Sequence, residues 1–416
     1  MQREYDIATP HNLWMRYCKW TGEVIVDPHP VGGAPGPGFS EDPKQSAPQV
    51  HQRPQFHAML CRQLQRFGIQ TKHEMRVIEY YEDPERGVGG VITDTGERFE
   101  ADIVIAADGI NSCSQAVIAE PASKARPTGR TIFRGAFPLA VATADPVIKE
   151  SFGLWEGRYP FLQVWMGPET YTVFQSYVNK FGNDGRLCFA LVLPDPDGQV
   201  RKGSWRDPVS SEEALRVIEK LPGWSEAMKA LIRITPPGTI VAWPLSPRSP
   251  QWCWHSPGKH VLQLGDAAHP MPPAAGNGAT QAIEDGITIA TCLAHAGKDQ
   301  VTTATRVYNL LRADRTSCCQ LLAFINDERH DQFDLDSTGN ELKKLAWKTP
   351  KWLASSDAEK YADANYANAA ASLLPGGPRF VNTNIPPGYD VKRWTVSEMD
   401  ELRERGGHLE LTGDWS

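Results

Sequence analysis

The chain has 416 residues, of which 41% are hydrophobic, and a net charge of -7. That length suits two closely joined domains, and that apolar content excludes a disordered chain. The negative balance argues against a nucleic-acid surface, and no apolar stretch approaches the length that spans a bilayer.

In chain order, residues 11–26 read as strand material: Leu13, Met15 and Tyr17 alternate, Gly22 marks a turn, and Val24-Ile25-Val26 follows. Residues 27–48 are rich in Pro and Gly and read as a loop. From Pro54 to Phe67 the apolar positions Phe56, Met59, Leu60, Leu64 and Phe67 keep helical spacing, and Gly68 ends the segment. Residues 69–107 read as strands punctuated at Asp83-Pro84, Gly89-Gly90 and Thr95-Gly96. The last, Ile103-Val104-Ile105, is apolar throughout, as a parallel strand covered on both faces would be, and ends at Asp108-Gly109.

Residues 130–250 change character. Phe161 to Met166, Tyr171 to Tyr177 and Leu187 to Leu193 alternate as antiparallel strands, and helical periodicity follows over Glu212–Lys220 and Trp224–Ile232. This region reads as a second domain inserted into the first. Long helices are predicted from Ala279 and from Val301 to Asn326. Residues 338–374 are Ala- and Lys-rich and read as helical, and the tail beyond Pro375 reads as an extended wrap.

The most informative stretch is residues 265–286, GDAAHPMPPAAGNGATQAIEDG, which follows the short apolar strand of Val261, Leu262 and Leu264. It sets Asp266 at the strand end, where a carboxylate can accept hydrogen bonds from sugar hydroxyls. Pro272 and Pro273 then fix the backbone, and Gly276 and Gly278 let it approach a flat ligand closely. The helix that follows offers unpaired N–H groups and the positive end of its dipole, which suits the anionic pyrimidine edge of a reduced flavin. Taken alone, Asp266 reads equally as a turn cap, Asp108-Gly109 as a turn, and Arg53 as a solvated surface arginine.

Together the order is specific. Arg53 precedes a helix, an apolar strand ends in Asp108-Gly109, a sheet-rich region intervenes, and GDAAH-x-x-PP-x-x-G-x-G closes the series. Phe133-Arg134-Gly135, Trp205, Trp243-Pro244-Leu245, Tyr308, Arg312 and Arg315 agree with it. In these pieces, over most of residues 10–330, the chain resembles the FAD-dependent aromatic hydroxylases, the single-component flavoprotein monooxygenases that include salicylate hydroxylase and para-hydroxybenzoate hydroxylase. The resemblance implies a mixed α/β and α+β fold: a Rossmann-like FAD-binding domain carrying an inserted mixed or antiparallel-sheet substrate domain and C-terminal helices. Its expected parts are residues 1–125 and 251–330 for the FAD domain, 126–250 for the sheet domain and 331–416 for the helical segment and tail.

The resemblance further implies FAD as cofactor, NAD(P)H as co-substrate, and O2 with a small aromatic or phenolic (salicylate-like or polyketide-derived) substrate that is hydroxylated through a flavin C4a-hydroperoxide. Arg53 would lie along the ribityl or phosphate chain, Asp108 would shape the cofactor site, and Asp266 would bind ribityl or ribose hydroxyls. The backbone at Gly276, Gly278, Ala279 and Thr280 would meet the flavin.

The chain departs from this family in three places. The expected N-terminal strand, G-x-G-x-x-G turn and helix are missing, so the first βαβ unit has no counterpart and the sheet is expected to show an unpaired apolar edge. The only candidate, residues 32–38, carries prolines that remove N–H donors and reads as a surface loop. An N-terminally truncated enzyme is the expectation, with a second chain or a degenerate relative as alternatives. Thr280 stands where many relatives have Asn. Tyr171 and Gln175 stand where some relatives carry a His and a Tyr. Arg134 is a candidate anchor for a phenolate or carboxylate and Tyr171 a hydrogen-bond partner for a phenol; the competing readings are a rim charge and sheet packing. His269 reads as structural.

Two other functions stay open: epoxidation or Baeyer–Villiger oxidation with the same cofactor, and a non-catalytic or partner-dependent flavoprotein-like module. The eight cysteines show no C-x-x-C spacing, so a reduced cytoplasmic protein with neither disulfide framework nor metal site is expected, as monomer or homodimer.

Overall fold

A computed structural model describes residues 14–30, 52–120, 123–154, 161–168, 170–178, 185–195, 208–332, 350–407, 409 and 411–415. Its elements run β1 (Trp14–Lys19), β2 (Val24–Pro30), α1 (Arg53–Arg66), β3 (Val77–Asp83), β4 (Val88–Thr93), β5 (Arg98–Ala101) and β6 (Val104–Ala106). Then come β7 (Arg130–Pro138), α2 (Leu139–Thr143), α3 (Pro146–Ser151), β8 (Phe161–Gly167), β9 (Thr170–Val178) and β10 (Gly185–Pro194). They are followed by α4 (Ser211–Ile218), α5 (Glu226–Ile234), β11 (Ile240–Pro244), β12 (Val261–Gln263), α6 (Gly278–Ala296) and α7 (Val301–Gln332). The chain closes with α8 (Lys351–Ala354), α9 (Ala358–Ser372) and α10 (Val396–Glu404). The mixed α/β and α+β architecture expected from the sequence is the one observed.

The chain divides into two compact units. The first takes residues 1–71, 127–245 and 329–347. Its seven-stranded sheet has the order β11-β7-β10-β9-β8-β1-β2. Strands β7 to β11 pair antiparallel, as their alternation predicts, while β1 joins in parallel to β8 with Met15 opposite Leu162 and Tyr17 opposite Val164. This non-local pairing draws the segment from residue 14 into the sheet unit rather than the FAD half assigned from sequence. One face of the sheet packs Phe133, Trp165, Phe174, Leu187 and Leu191 against Ile148 of α3, Ile218 of α4 and Met228 and Leu231 of α5. Ser210 and Ser225 cap α4 and α5 by accepting backbone N–H bonds from Glu213 and Ala227.

The second unit takes residues 72–126, 246–328 and 348–416. Strands β3, β4 and β5 form an antiparallel meander, and β6 pairs in parallel with β12. Trp254, Leu262, Ile289, Tyr308, Leu311 and Ala362 make its principal core beneath α6, α7 and α9. Two expectations change here. Gly89-Gly90, read as a turn, lies inside β4: a side chain at Gly89 would meet the His260 carbonyl oxygen at 2.3 Å, and one at Gly90 the Tyr81 ring at 2.2 Å. These glycines are spaces for close packing, not chain reversals. Ile105 of β6 is 39% exposed, so β6 is not covered on both faces; among the described residues its sheet holds only two strands. The tail also contains α10, started by a capping box in which Thr395 and Glu398 satisfy each other's backbone N–H. The Pro/Gly segment after residue 30, the start of the 338–374 segment and Trp205 lie outside the described residues.

No helix among the described residues is long and apolar enough to cross a membrane. They contain no cluster of His, Cys, Asp and Glu able to hold a metal ion.

Candidate functional site

The parallel register of β6 and β12 sets Ala106 opposite Gln263, and the Leu264 N–H donates to the Ala106 carbonyl at 3.0 Å. Both strands therefore leave the sheet at the same end. Asp108 follows β6 and Asp266 follows β12, so the two acids stand at the carboxyl edge of an open parallel pair, where ligands of such sheets bind. Burial, and after it the charge of Asp108, pushes the Tyr80 phenol up from its ordinary value. Tyr80 is thus a buried neighbour of Asp108 that the sequence pattern did not single out.

The turn Gly265–Ala267 buries Gly265 and Ala267 and exposes Asp266. Gly265 has φ +60°, a left-handed conformation that favours glycine. Its N–H donates to Asp285 Oδ2 at 3.0 Å. The Asp266 carbonyl accepts Arg248 Nη2 at 3.2 Å, and the Ala267 carbonyl accepts the same nitrogen at 3.1 Å and Gln115 Nε2 at 3.0 Å. Gln115 also donates to Gln251, which donates to Gln263, which donates to Ser114.

Beneath the turn lies a buried ionic cluster. His269 Nε2 meets Asp285 Oδ2 at 2.6 Å, and Arg312 Nε donates to Asp285 Oδ1 at 2.7 Å. Arg312 Nη1 and Arg315 Nε converge on Glu284 Oε2 at 2.6 and 2.7 Å. Burial alone would raise both carboxyls. The charges of His269 and Arg312 hold Asp285 well below the carboxylate range, and Arg315 with Arg312 holds Glu284 low. Tyr308 donates weakly to the Gln263 carbonyl at 3.4 Å. The network gives His269 the structural role expected of it, and gives Arg312 and Arg315 definite partners.

The segment after the turn passes Pro273–Ala275 and reverses at Gly276, φ +60°, into α6. Asn277 makes no side-chain cap there, and the first turn carries no acid. Gly278, Ala279 and Thr280 thus present helix-terminal N–H groups without intrahelical acceptors, and Ala279 and Thr280 are exposed. An uncapped helix start beside an exposed carboxylate suits a ligand with carbonyl acceptors at one end and hydroxyls at another.

Arg53 and Arg134 belong to the other unit, at the start of α1 and in β7. Arg134 reaches the surface of β7, yet the protein crowding it, and then the like charge of Arg53, lowers it from the ordinary arginine value. Arg134 and Tyr171 lie on one face of the sheet, because Arg134 is opposite Ala190, Ala190 opposite Val173, and Tyr171 two residues along. Tyr171 is only 4% exposed, packed with Ile132 and Val192, with the Arg130 guanidinium 5.7 Å from its ring.

Sequence reasoning missed Arg248, Gln115 and Asp285. Asp285 is legible as an acid seven residues into the helix that follows the motif. Arg248 and Gln115 are remote from the turn in sequence and carry no local signal.

The family model for an FAD binding domain matches residues 242–312, which contain the turn, α6 and Arg312. The FAD-dependent monooxygenase fsr3 of Gibberella fujikuroi is 35% identical over 100% of this chain and 77% of its own length. The FAD-dependent monooxygenase dmxR9 of a Cryptosporiopsis species is 36% identical over 88% of this chain and 69% of its own. Among solved structures, FqzB aligns with TM-score 0.75 and 26% identity over 92% of this chain and 82% of that chain. A salicylate hydroxylase substrate complex aligns with TM-score 0.62 and 22% identity over 91% and 86%, a likeness of fold.

Proposed function

The chain belongs to the FAD-dependent monooxygenases, and on that premise we propose that it uses NAD(P)H and O2 to hydroxylate an aromatic or phenolic substrate. The observation that carries this reading is the pairing of one exposed acid, Asp266, on an otherwise buried turn with the uncapped start of α6. That donor set fits a flavin. Asp266 would accept hydrogen bonds from ribityl or ribose hydroxyls. The N–H groups at Gly278, Ala279 and Thr280, approached closely because Gly276 and Gly278 lack side chains, would donate to the pyrimidine edge. The helix start contributes about 0.3–1 kcal/mol toward negative charge there. Asp108, with Tyr80 behind it, would shape the same cofactor site. The sequence contains no G-x-G-x-x-G run, so no residue is assigned to the pyrophosphate.

FAD, when bound, would supply the redox chemistry for transferring one oxygen atom of O2 at the expense of NAD(P)H. The chain's own residues bind and orient. Arg134 would hold a phenolate or carboxylate of the substrate through charge-assisted hydrogen bonds. Tyr171 would bond the phenol; an ordinary tyrosine is a poor base near neutral pH, so it orients rather than deprotonates.

The test is direct. The purified chain should take up FAD with a bound-flavin absorbance spectrum, and a phenolic substrate should stimulate NAD(P)H oxidation and yield a hydroxylated product. Uptake without any NAD(P)H oxidation across a panel of phenols would support a non-catalytic flavoprotein module instead.

A further inference from the structure

Arg248 is 6% exposed and sits in the segment before β12. Its Nη2 is bonded to the carbonyls of Asp266 and Ala267, and among the described residues no carboxylate lies within ion-pair distance of it. Taking a guanidinium out of water without an ion-pair partner is costly, and such a cation is normally paired or replaced. One of the two carbonyls does not require it: Gln115 satisfies the same Ala267 oxygen with a neutral amide at 3.0 Å, while the Asp266 oxygen is held by Arg248. What the arginine adds is charge, and the charge it acts on is Asp266. Burial lowers Arg248 from the ordinary arginine value, and Asp266 offsets part of that.

The turn is held from both sides. Asp285 takes the Gly265 N–H below, Arg248 and Gln115 take two carbonyls above, and the Ala268 and His269 N–H groups close onto the Gly265 carbonyl at 2.9 Å. Only the Asp266 side chain points out.

We infer that Arg248 is a positioning residue for the cofactor: a buried cation that fixes the Asp266–Ala267 backbone and sets a positive charge behind the outward Asp266 carboxylate, so that the turn is built before FAD arrives. This rests on the proposed FAD site, and it has two separable parts, a clamp and a charge. A glutamine at position 248 keeps a donor without the charge. A lysine keeps the charge with a single donor group. A methionine keeps neither.

The experiment compares the full chain with Arg248→Gln, Arg248→Lys and Arg248→Met. Amide hydrogen exchange of Ala268 and His269 without FAD reads the clamp, and the FAD dissociation constant and midpoint potential of bound flavin read the charge. Arg248→Met should speed exchange at both amides at least tenfold, weaken FAD at least tenfold and move the potential to more negative values. Arg248→Gln should restore protection but not the potential, and Arg248→Lys should restore the potential. Exchange and FAD affinity within twofold of the unsubstituted chain in Arg248→Met would overturn the inference; so would identical potentials in Arg248→Gln and Arg248→Lys. Failure of the unsubstituted chain to bind FAD would defeat the proposed function, while the exchange measurement would still decide the clamp. Should Arg248→Met not fold, Arg248→Gln against Arg248→Lys carries the comparison.

Discussion

Arg312 donates from Nε to Asp285 Oδ1 at 2.7 Å, with both side chains almost wholly buried. The other oxygen of Asp285 holds His269 and the Gly265 N–H, so this one ion pair joins α7 and α6 to the turn that carries Asp266. Replacing Arg312 by Met leaves Asp285 and Glu284 short of positive charge inside the protein. Removing one partner of a buried pair costs about 3–5 kcal/mol. Urea unfolding of Arg312→Met should show a loss of that size. A loss below about 1 kcal/mol would mean that Arg315 and His269 already balance both acids.

The same cluster sets a pH dependence. Asp285 and Glu284 have folded values below their unfolded ones, because the charges of His269, Arg312 and Arg315 outweigh the burial that opposes them. Groups depressed on folding contribute stability that is present in full above their unfolded values, about 4, and that is lost as pH falls toward the folded values. Melting temperature should therefore fall steeply below about pH 4. Asp285→Asn should be less stable at neutral pH and show a shallower fall. Parallel acid profiles for the two proteins would refute this assignment.

Gly89 and Gly286 make a matched pair of opposite sign. A Cβ at Gly89 would lie 2.3 Å from the His260 carbonyl oxygen, a backbone atom that cannot swing aside, whereas one at Gly286 in α6 meets nothing within 4 Å. Gly89→Ala should cost about 1–3 kcal/mol through overpacking. Gly286→Ala should stabilise by about 0.5–1 kcal/mol through helix propensity. Thermal melts of both variants check the pair.

Those two glycines also show how far the sequence could be read. Helices α4 and α5 follow from apolar spacing, because each buries one apolar stripe and the period records it, whereas α1 buries only Met59 and α6 buries Gln281, Glu284, Asp285 and Thr288 beside Ile289 and Cys292. The flavin motif was legible because its acid, prolines and glycines are contiguous. Gly89-Gly90 was misread because a glycine kept for an approaching backbone looks, in one dimension, like a glycine kept for a turn. The parallel pairing of β1 with β8 joins segments about 150 residues apart and leaves no local trace. Arg248 and Gln115 were invisible for the same reason, since what they bond is backbone carbonyl that any sequence presents. The helix α10, by contrast, carried a readable signal in Thr395 and Glu398, a capping box just before Val396.

Asp266 separates binding from folding. Its side chain is exposed while Gly265 and Ala267 on either side are buried, and the hydrogen bonds that hold the turn run to the backbone at 265–267. Asp266→Asn should therefore cost the FAD-free chain little stability, about 0.5 kcal/mol through the lost charge beside Arg248, as expected near a surface site. FAD affinity should fall much further. Hydrogen bonds to a charged group contribute about 1.5–3 kcal/mol, which corresponds to a loss of roughly 10- to 100-fold. Flavin fluorescence titration gives the affinity and calorimetry gives the stability. Equal losses in both would place Asp266 in the scaffold of the turn; loss of neither would remove it from the cofactor site.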